Sequence, residues 1–187
     1  MPKKPKANER LIWLDLEMTG LDPERHAIIE IGCAVTDSDL HVIAEGPTLA
    51  ISQPPAVLAL MDPWCVKQHG NSGLTQRVKD SKVTIQDAER NTLEFLKRYC
   101  KPNMSPLCGN SIGQDRRFLV RYMPKLNEFF HYRNIDVSSI KELVRRWYPP
   151  KFQAPLKRST HHVLDDIRES IAELRHYREK VFRQSSF

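Results

Sequence analysis

Residues 11–18 read LIWLDLEM: four apolar positions, then acid and apolar in alternation through Asp15, Leu16, Glu17 and Met18. That is the pattern of a strand buried on both faces at its start, with one face opening into a polar site at its end. Outward from it, the turn-like LDPERH (21–26) leads into AIIEIGCAVT (27–36), and the polar DSD (37–39) into LHVIAEG (40–46). Three apolar runs joined by short turns predict an antiparallel meander.

Beyond the meander the pattern changes. From 52 to 82 it is broken by Pro54-Pro55, Asp62-Pro63 and Gly70-Asn71-Ser72-Gly73, which leaves room for short helices over 56–61 and 63–69. Asp62 before Pro63 suits an N-cap followed by the first helical position. Thr84-x-x-Asp87 predicts a helix to about Tyr99, and Leu107-Cys108-Gly109 a short strand. A helix is expected from Gln114 with Phe118, Leu119 and Tyr122 inward, then a strand at Ile135-Asp136-Val137. Ser139-x-x-Glu142 reads as a capping box for a helix that puts Ile140, Leu143, Val144 and Trp147 on one stripe. After a Pro-rich basic loop (149–159), a last helix over 163–181 aligns Leu164, Ile167, Ile171 and Leu174. A meander followed by strands alternating with helices gives an α/β protein, a mixed five-stranded sheet flanked by helices.

The 187 residues are 40% hydrophobic and 28% charged, which suits one domain with a sizeable core and argues against long-range disorder. The expected organisation is a basic tail (1–9), one domain (10–182) and a short C-terminal tail (183–187). No apolar stretch approaches the ~18 residues of a membrane span. The apolar run after the basic N-terminus is interrupted by Asp15 and Glu17, so no secretion signal is expected. Cys33, Cys65, Cys100 and Cys108 lack C-x-x-C spacing and read as reduced thiols of a cytoplasmic protein. The net charge of +6 fits an anionic partner or a merely solvated basic surface. Its distribution says more. Lys and Arg crowd 116–121, 133, 141–146, 151 and 157–158, whereas Asp15/Glu17 and Asp165/Asp166 form tight acidic groups. A basic rim around a cation-binding acidic pocket is one arrangement that fits.

Asp15 and Glu17, two apart on a strand, project from the same face with Cβ atoms about 6.5–7 Å apart. Carboxylates at that span can bracket a pair of metal ions, although an isolated D-x-E also suits an acidic solvent face. Asp115 shares the inward face of its helix, where a carboxylate needs a partner, or it simply favours the helix N-terminus. His161, His162, Asp165 and Asp166 precede or open the last helix. A histidine there beside a metal-ligating acid can take a proton from water, while helix-dipole stabilisation explains the acids alone. The bland explanation must hold independently at three separate places.

Asp15-x-Glu17, Asp115 within GNSIGQD, and His161-x(4)-Asp166 resemble the three motifs of the DEDDh 3′→5′ exonuclease superfamily. The longer strings WLDLEMTGLDPERHAIIEIG, CGNSIGQDRRFL and LDDIRESIAEL resemble the oligoribonuclease family, and the likeness runs from about 10 to 182. The resemblance implies a ribonuclease H-like fold. It implies that Asp15, Glu17, Asp115 and Asp166 ligate two Mg²⁺ or Mn²⁺ ions, and that His161 is the general base. The implied reaction is 3′→5′ hydrolysis of short single-stranded RNAs, dinucleotides above all, to 5′-mononucleotides by a cytoplasmic homodimer.

The resemblance also implies a substrate-binding set. Leu21 would wedge between bases, and Trp64 and His69 would contact the 3′ nucleotide. Ser111 and Gln114 would hydrogen-bond the ribose or backbone. Tyr132, Arg133, Ser138 and Ser139, in and after HYRNIDVSS, would close over the 5′ phosphate, with Tyr132 supplied by the partner protomer. On residue type alone Leu21 and Trp64 equally suit a core, and Ser138 and Ser139 a helix cap. Val163 replaces the Ala of many superfamily members and is expected to crowd the start of the last helix. A silent nucleic-acid-binding module would ordinarily lack one of the acids or the histidine, and none is missing. A DNA-directed exonuclease of the same superfamily is disfavoured by the longer strings.

Overall fold

The computed structural model describes residues 9–155 and 162–182. Strands β1 (Leu11–Met18), β2 (Ile28–Thr36) and β3 (Val42–Glu45) form the expected meander, and β4 (Leu49–Ala50) returns to pair with β2. Helices α1 (Pro55–Leu58), α2 (Pro63–Asn71), α3 (Leu74–Asp80) and α4 (Ile85–Lys97) follow. Next come β5 (Leu107–Gly109), α5 (Ile112–Tyr122), α6 (Pro124–Phe129), β6 (Asn134–Asp136), α7 (Val137–Trp147) and α8 (Val163–Lys180). The strand order is β3-β2-β1-β5-β6, with β5 parallel to β1 and β6 parallel to β5. The sheet has six strands rather than five, because the two residues of β4 add a short rung that so brief a segment does not announce.

Strand parity builds two layers. Leu14 and Leu16 of β1, with Ile31 and Cys33 of β2, pack against Leu96, Phe118, Leu119 and Leu126 of α4, α5 and α6. The opposite parity, Trp13 and Ala34, packs with Val144 of α7 and with Val163, Ile167 and Ile171 of α8. Every residue of β2 is buried, as befits a strand covered on both faces. Asp15 and Glu17 share parity with Trp13, so they rise from the face that α8 covers.

Several expectations shift. Thr84 and Asp87 do form the capping box of α4. Asp62 is the N-cap of α2 with Pro63 following, but its side chain makes no capping hydrogen bond. The Ser139-x-x-Glu142 box does not form: α7 starts three residues earlier, and Asp136 accepts from the Ser138 N–H at 2.9 Å while Glu142 pairs with Arg145 and Arg146. Of the expected stripe on α7, Val144 is buried but Leu143 and Trp147 are exposed. α5 begins at Ile112 rather than Gln114, after Ser111 in the left-handed region at φ 51°. α3 and α6 were unforeseen; each is under eight residues long, and Pro124, expected to terminate a helix, starts α6 instead. Part of the 149–159 loop is a 3₁₀ turn, Pro150–Phe152.

The crowding expected at Val163 is relieved on the sheet. Gly32, opposite Asp15 in the β1–β2 ladder, carries no side chain where Val163 lands, and a Cβ there would sit 2.3 Å from Val163 Cγ1. α8 thus approaches β2 closely, three residues before Asp166. Gly32→Ala is expected to cost about 1–3 kcal/mol through overpacking. In a thermal-denaturation double-mutant cycle, Val163→Ala should restore much of that loss in the Gly32→Ala background while destabilising the wild type.

Candidate active site

The acids meet at the C-terminal half of β1. Asp15, Glu17 and Asp166 each offer a carboxylate oxygen, and the three oxygens lie within 4.8 Å of one another. Asp166 sits in the first turn of α8, whose Asp165 and Asp166 amides both donate to the His162 carbonyl, at 2.8 and 3.0 Å. Its neighbour Asp165 turns away and pairs with Arg168 at 2.9 Å; Arg168 also grips Glu45. His161 lies outside the described residues.

Asp115 arrives from the other layer. β1 and β5 are paired only at Ile12↔Leu107 and Trp13↔Cys108. The Ile12 amide points toward the β5 side, donating to the Pro106 carbonyl, and by the two-residue repeat so does that of Leu16. At Leu16 the strand β5 has already ended, and the Asp115 carboxylate takes its place, accepting from the Leu16 N–H at 3.0 Å. Asp115 is thereby fixed on the residue between Asp15 and Glu17, in the crevice where two parallel strands part. Such crevices at the carboxyl ends of strands are favoured ligand sites in α/β sheets.

The cluster is electrostatically unfavourable as it stands. Burial, then the charges of Asp166, Glu30 and Asp115, push the Glu17 carboxyl from 4.5 up to about 8. Burial raises Asp115 to about 7 against the opposing hydrogen bond from Leu16. Glu30, opposite Glu17 in the ladder and fully buried, is paired by Arg77 of α3. Behind Glu17 stands His69 of α2, buried, with Nε2 2.9 Å from the Met18 carbonyl and Nδ1 3.9 Å from Glu17 Oε2. Crowded oxygen donors that resist ionisation fit hard divalent cations, whose charge would offset both repulsion and burial.

The remaining candidates surround this centre. Leu21 and Trp64, 66% and 64% exposed, stand outside the core. Gln114 donates through Nε2 to the Leu21 carbonyl and accepts from Arg117 at 2.9 Å, tying α5 to the turn after β1. Ser111 meets Ser138 through both its amide and its hydroxyl, at 3.0 and 3.2 Å. Ser139 is exposed on the first turn of α7. Tyr132, 73% exposed, lies between the His131 ring at 4.4 Å and the Arg133 guanidinium at 5.3 Å. The unforeseen Arg116 braces this connection by donating to the His131 and Tyr132 carbonyls and to the Asn127 and Asn134 side chains. An Arg just after the first turn of α5 is visible in the sequence, but the backbone it holds is not. Asn110 and Asp136, which residue type and spacing do not single out as site residues, lie inside the strings GNSIGQD and HYRNIDVSS.

A family model described as Exonuclease matches residues 12–174, so the class is that of the exonucleases. The fold agrees. Exonuclease I of Methylocaldum szegediense superposes with a TM-score of 0.69 at 20% identity, covering 92% of this chain and 41% of that one. E. coli exonuclease I in complex with a dA16 oligonucleotide gives 0.71 at 14%, with 92% and 41% covered. The chain thus spans about two fifths of those exonuclease I chains, and its sheet is ribonuclease H-like. Oligoribonuclease of Marinobacter nauticus is 61% identical over 175 residues, 94% of this chain and 97% of that protein. Oligoribonuclease of Vibrio parahaemolyticus is 58% identical over 177 residues, 95% and 98% of the two chains. The chain belongs to the oligoribonuclease family.

The raised carboxyls carry a pH signature. In metal-free protein the Glu17 carboxyl, raised to about 8, keeps its proton in the fold over a range where the unfolded chain has already ionised, so its contribution is fully present below 4.5 and lost as pH rises through about 8. Glu17→Gln removes this loss. In chelator at pH 9 the variant is expected to melt roughly 2–6 °C above wild type, the gap closing by pH 4, while metal-dependent activity disappears. Calorimetry across that range in chelator checks the first half, and turnover with Mn²⁺ the second.

Proposed function

We propose that the protein is a 3′→5′ exoribonuclease that degrades short oligoribonucleotides, dinucleotides especially, to 5′-mononucleotides. The observation that carries this reading is the convergence of Asp15, Glu17 and Asp166, with Asp115 fixed on the intervening residue, in a chain 61% identical to an oligoribonuclease. Asp15, Glu17, Asp115 and Asp166 would hold two divalent ions, Mg²⁺ or Mn²⁺. Such a pair, when bound, supplies Lewis-acid stabilisation of charge developing on phosphoryl and leaving oxygens.

The chain's own residues do the rest. His161, five positions before Asp166, accepts the proton of the attacking water, since imidazole titrates near neutrality. Leu21 and Trp64 offer exposed apolar surface for the bases, and His69 acts beside Glu17 at the 3′ nucleotide. Gln114 and Ser111 line the path between the metal acids and the first turn of α7. There Ser138, Ser139 and Arg133 receive the 5′ phosphate, a dianion suited to a helix N-terminus and a guanidinium. Tyr132, exposed between His131 and Arg133, would cap the site of a second copy, and the exposed Leu143 and Trp147 of α7 support a homodimer. The free thiols of its four cysteines suit the cytoplasm.

The test is turnover of a 5′-phosphorylated RNA dinucleotide beside a long single strand, each with Mn²⁺ and with the metal chelated. Metal-dependent conversion of the dinucleotide with little loss of the long strand is the expected result. Equal trimming of both removes the 5′ cap, and turnover of neither removes the enzyme. A deoxyribodinucleotide run alongside reports DNA activity. His161→Ala and Asp15→Asn should each eliminate measurable turnover. Trp64→Ala should weaken substrate binding by about 5–100-fold, the range for one lost stacking contact. Sedimentation of wild type and Tyr132→Ala in dilute buffer tests the dimer: a wild-type monomer that still cleaves dinucleotides excludes Tyr132 as a cap in trans.

A further inference from the structure

A polar network outside the acid cluster joins three elements at Asn110, the residue between β5 and the Ser111 cap of α5. Its amide nitrogen donates to Ser170 Oγ at 2.7 Å and to Glu173 Oε2 at 3.2 Å, both on α8. A carboxylate only accepts, and Ser170 already gives its hydrogen to the Asp166 carbonyl at 2.8 Å, so the nitrogen must face α8. The carbonyl end of Asn110 is therefore turned to α7, where it accepts from the Ser138 hydroxyl at 3.1 Å. From the other side the Ser138 oxygen receives the Ser111 amide at 3.0 Å, and the same amide meets Asp136 Oδ1, the N-cap of α7. Glu173 is buried and held further by Tyr177 at 3.1 Å and Lys141 of α7 at 3.6 Å.

We propose that Asn110 is a positioning residue that holds the first turn of α7, and with it the seat for the substrate's 5′ phosphate, in register with the metal-bearing helix α8. The inference rests on the exonuclease reading above and deepens it. α8 is an 18-residue helix anchored to the sheet by buried Val163, Ile167, Ile171 and Leu174. The first two turns of α7 are exposed at Ser139, Lys141 and Glu142, and the first is anchored by Val137, by the half-buried Ile140 and by this network. Loosening the network moves the α7 seat and leaves α8 in place. Its cost falls on recognition of the 5′ phosphate, not on the chemical step.

The experiment compares wild type, Asn110→Ala and Ser170→Ala on a 5′-phosphorylated and a 5′-hydroxyl RNA dinucleotide at saturating Mn²⁺, with thermal melts as a folding control. Wild type is expected to favour the phosphorylated substrate. Asn110→Ala should raise KM for that substrate about tenfold, the equivalent of one lost hydrogen bond, with kcat within about twofold and the hydroxyl substrate unmoved. Ser170→Ala, which leaves the bond to Ser138 in place, should shift the same ratio less. An equal loss on both substrates, or a fall in kcat alone, overturns the inference while the exonuclease reading stands. So does a wild type that ignores the 5′ phosphate. Turnover of neither dinucleotide by wild type overturns both. Should Asn110→Ala fail to fold, Ser170→Ala decides, an unchanged preference counting against the proposal.

Discussion

Mutual repulsion among Asp15, Glu17 and Asp166, whose oxygens approach within 4.8 Å, is the constraint around which the molecule is arranged. A strand can place two carboxylates on one face, but not three from separate segments without a scaffold that tolerates the crowding. Here β1 is covered on both faces, so its leading half is apolar and rigid before the acids begin. The face that receives Asp166 is opened by Gly32, where the absence of a side chain lets α8 settle against β2. The opposing layer delivers Asp115 through the edge left free when β5 ends, and one hydrogen bond to Leu16 fixes it. Packing of two hydrophobic layers thus supplies the work of holding like charges together, and a bound cation would return part of it.

The neighbours of Glu17 show how the protein manages that cost. Glu30 lies directly across the ladder and would deepen the repulsion, yet Arg77 reaches in from α3 to pair with it. A buried pair of this kind adds little net stability, because both charges lose hydration. What it provides on this flank is partial compensation: the Glu30 charge still raises the Glu17 carboxyl, and Arg77 opposes it. His69 closes the same flank: its imidazole is fixed by the Met18 carbonyl and stands beside the Glu17 carboxylate. From the sequence His69 was a residue to meet a nucleotide. In the fold it is buried behind a carboxylate, held by the backbone of the strand that carries Glu17.

The legible parts of the fold are those governed by local periodicity. The two-residue repeat of LIWLDLEM places Asp15 and Glu17 on one face whatever the tertiary structure, and Thr84 with Asp87 caps α4 by contacts three residues apart. The start of α7 differs from the sequence expectation because two local solutions compete. Ser139-x-x-Glu142 is a valid capping box, but Asp136 is held in place by the Ser111 amide from another element, and that long-range bond selects the earlier start. Exposure of Leu21 and Trp64 is equally non-local: a large apolar residue reads as core until the surface it would bury against proves to be elsewhere. The choice between Asp165 and Asp166 followed from motif spacing, and the geometry supplies its reason. One residue of helical rotation turns Asp165 to Arg168 and Asp166 to β1.

The first turn of α5 connects the two ends of the site. Ser111, strained into the left-handed region, meets Ser138 and Asp136 at the α7 end, and Asp115 meets β1 at the acid end. Four residues of helix rise separate them, about 6 Å. On the proposed reading, the seat for a substrate's 5′ end and the ions that cleave its 3′ linkage are thus tied to opposite ends of a single helical turn. That turn is fastened at one side by a backbone hydrogen bond to the sheet and at the other by the Asn110 network. Substrate length then follows from a rigid spacing inside the fold rather than from a flexible lid, and extending it would require α7 to part from α8.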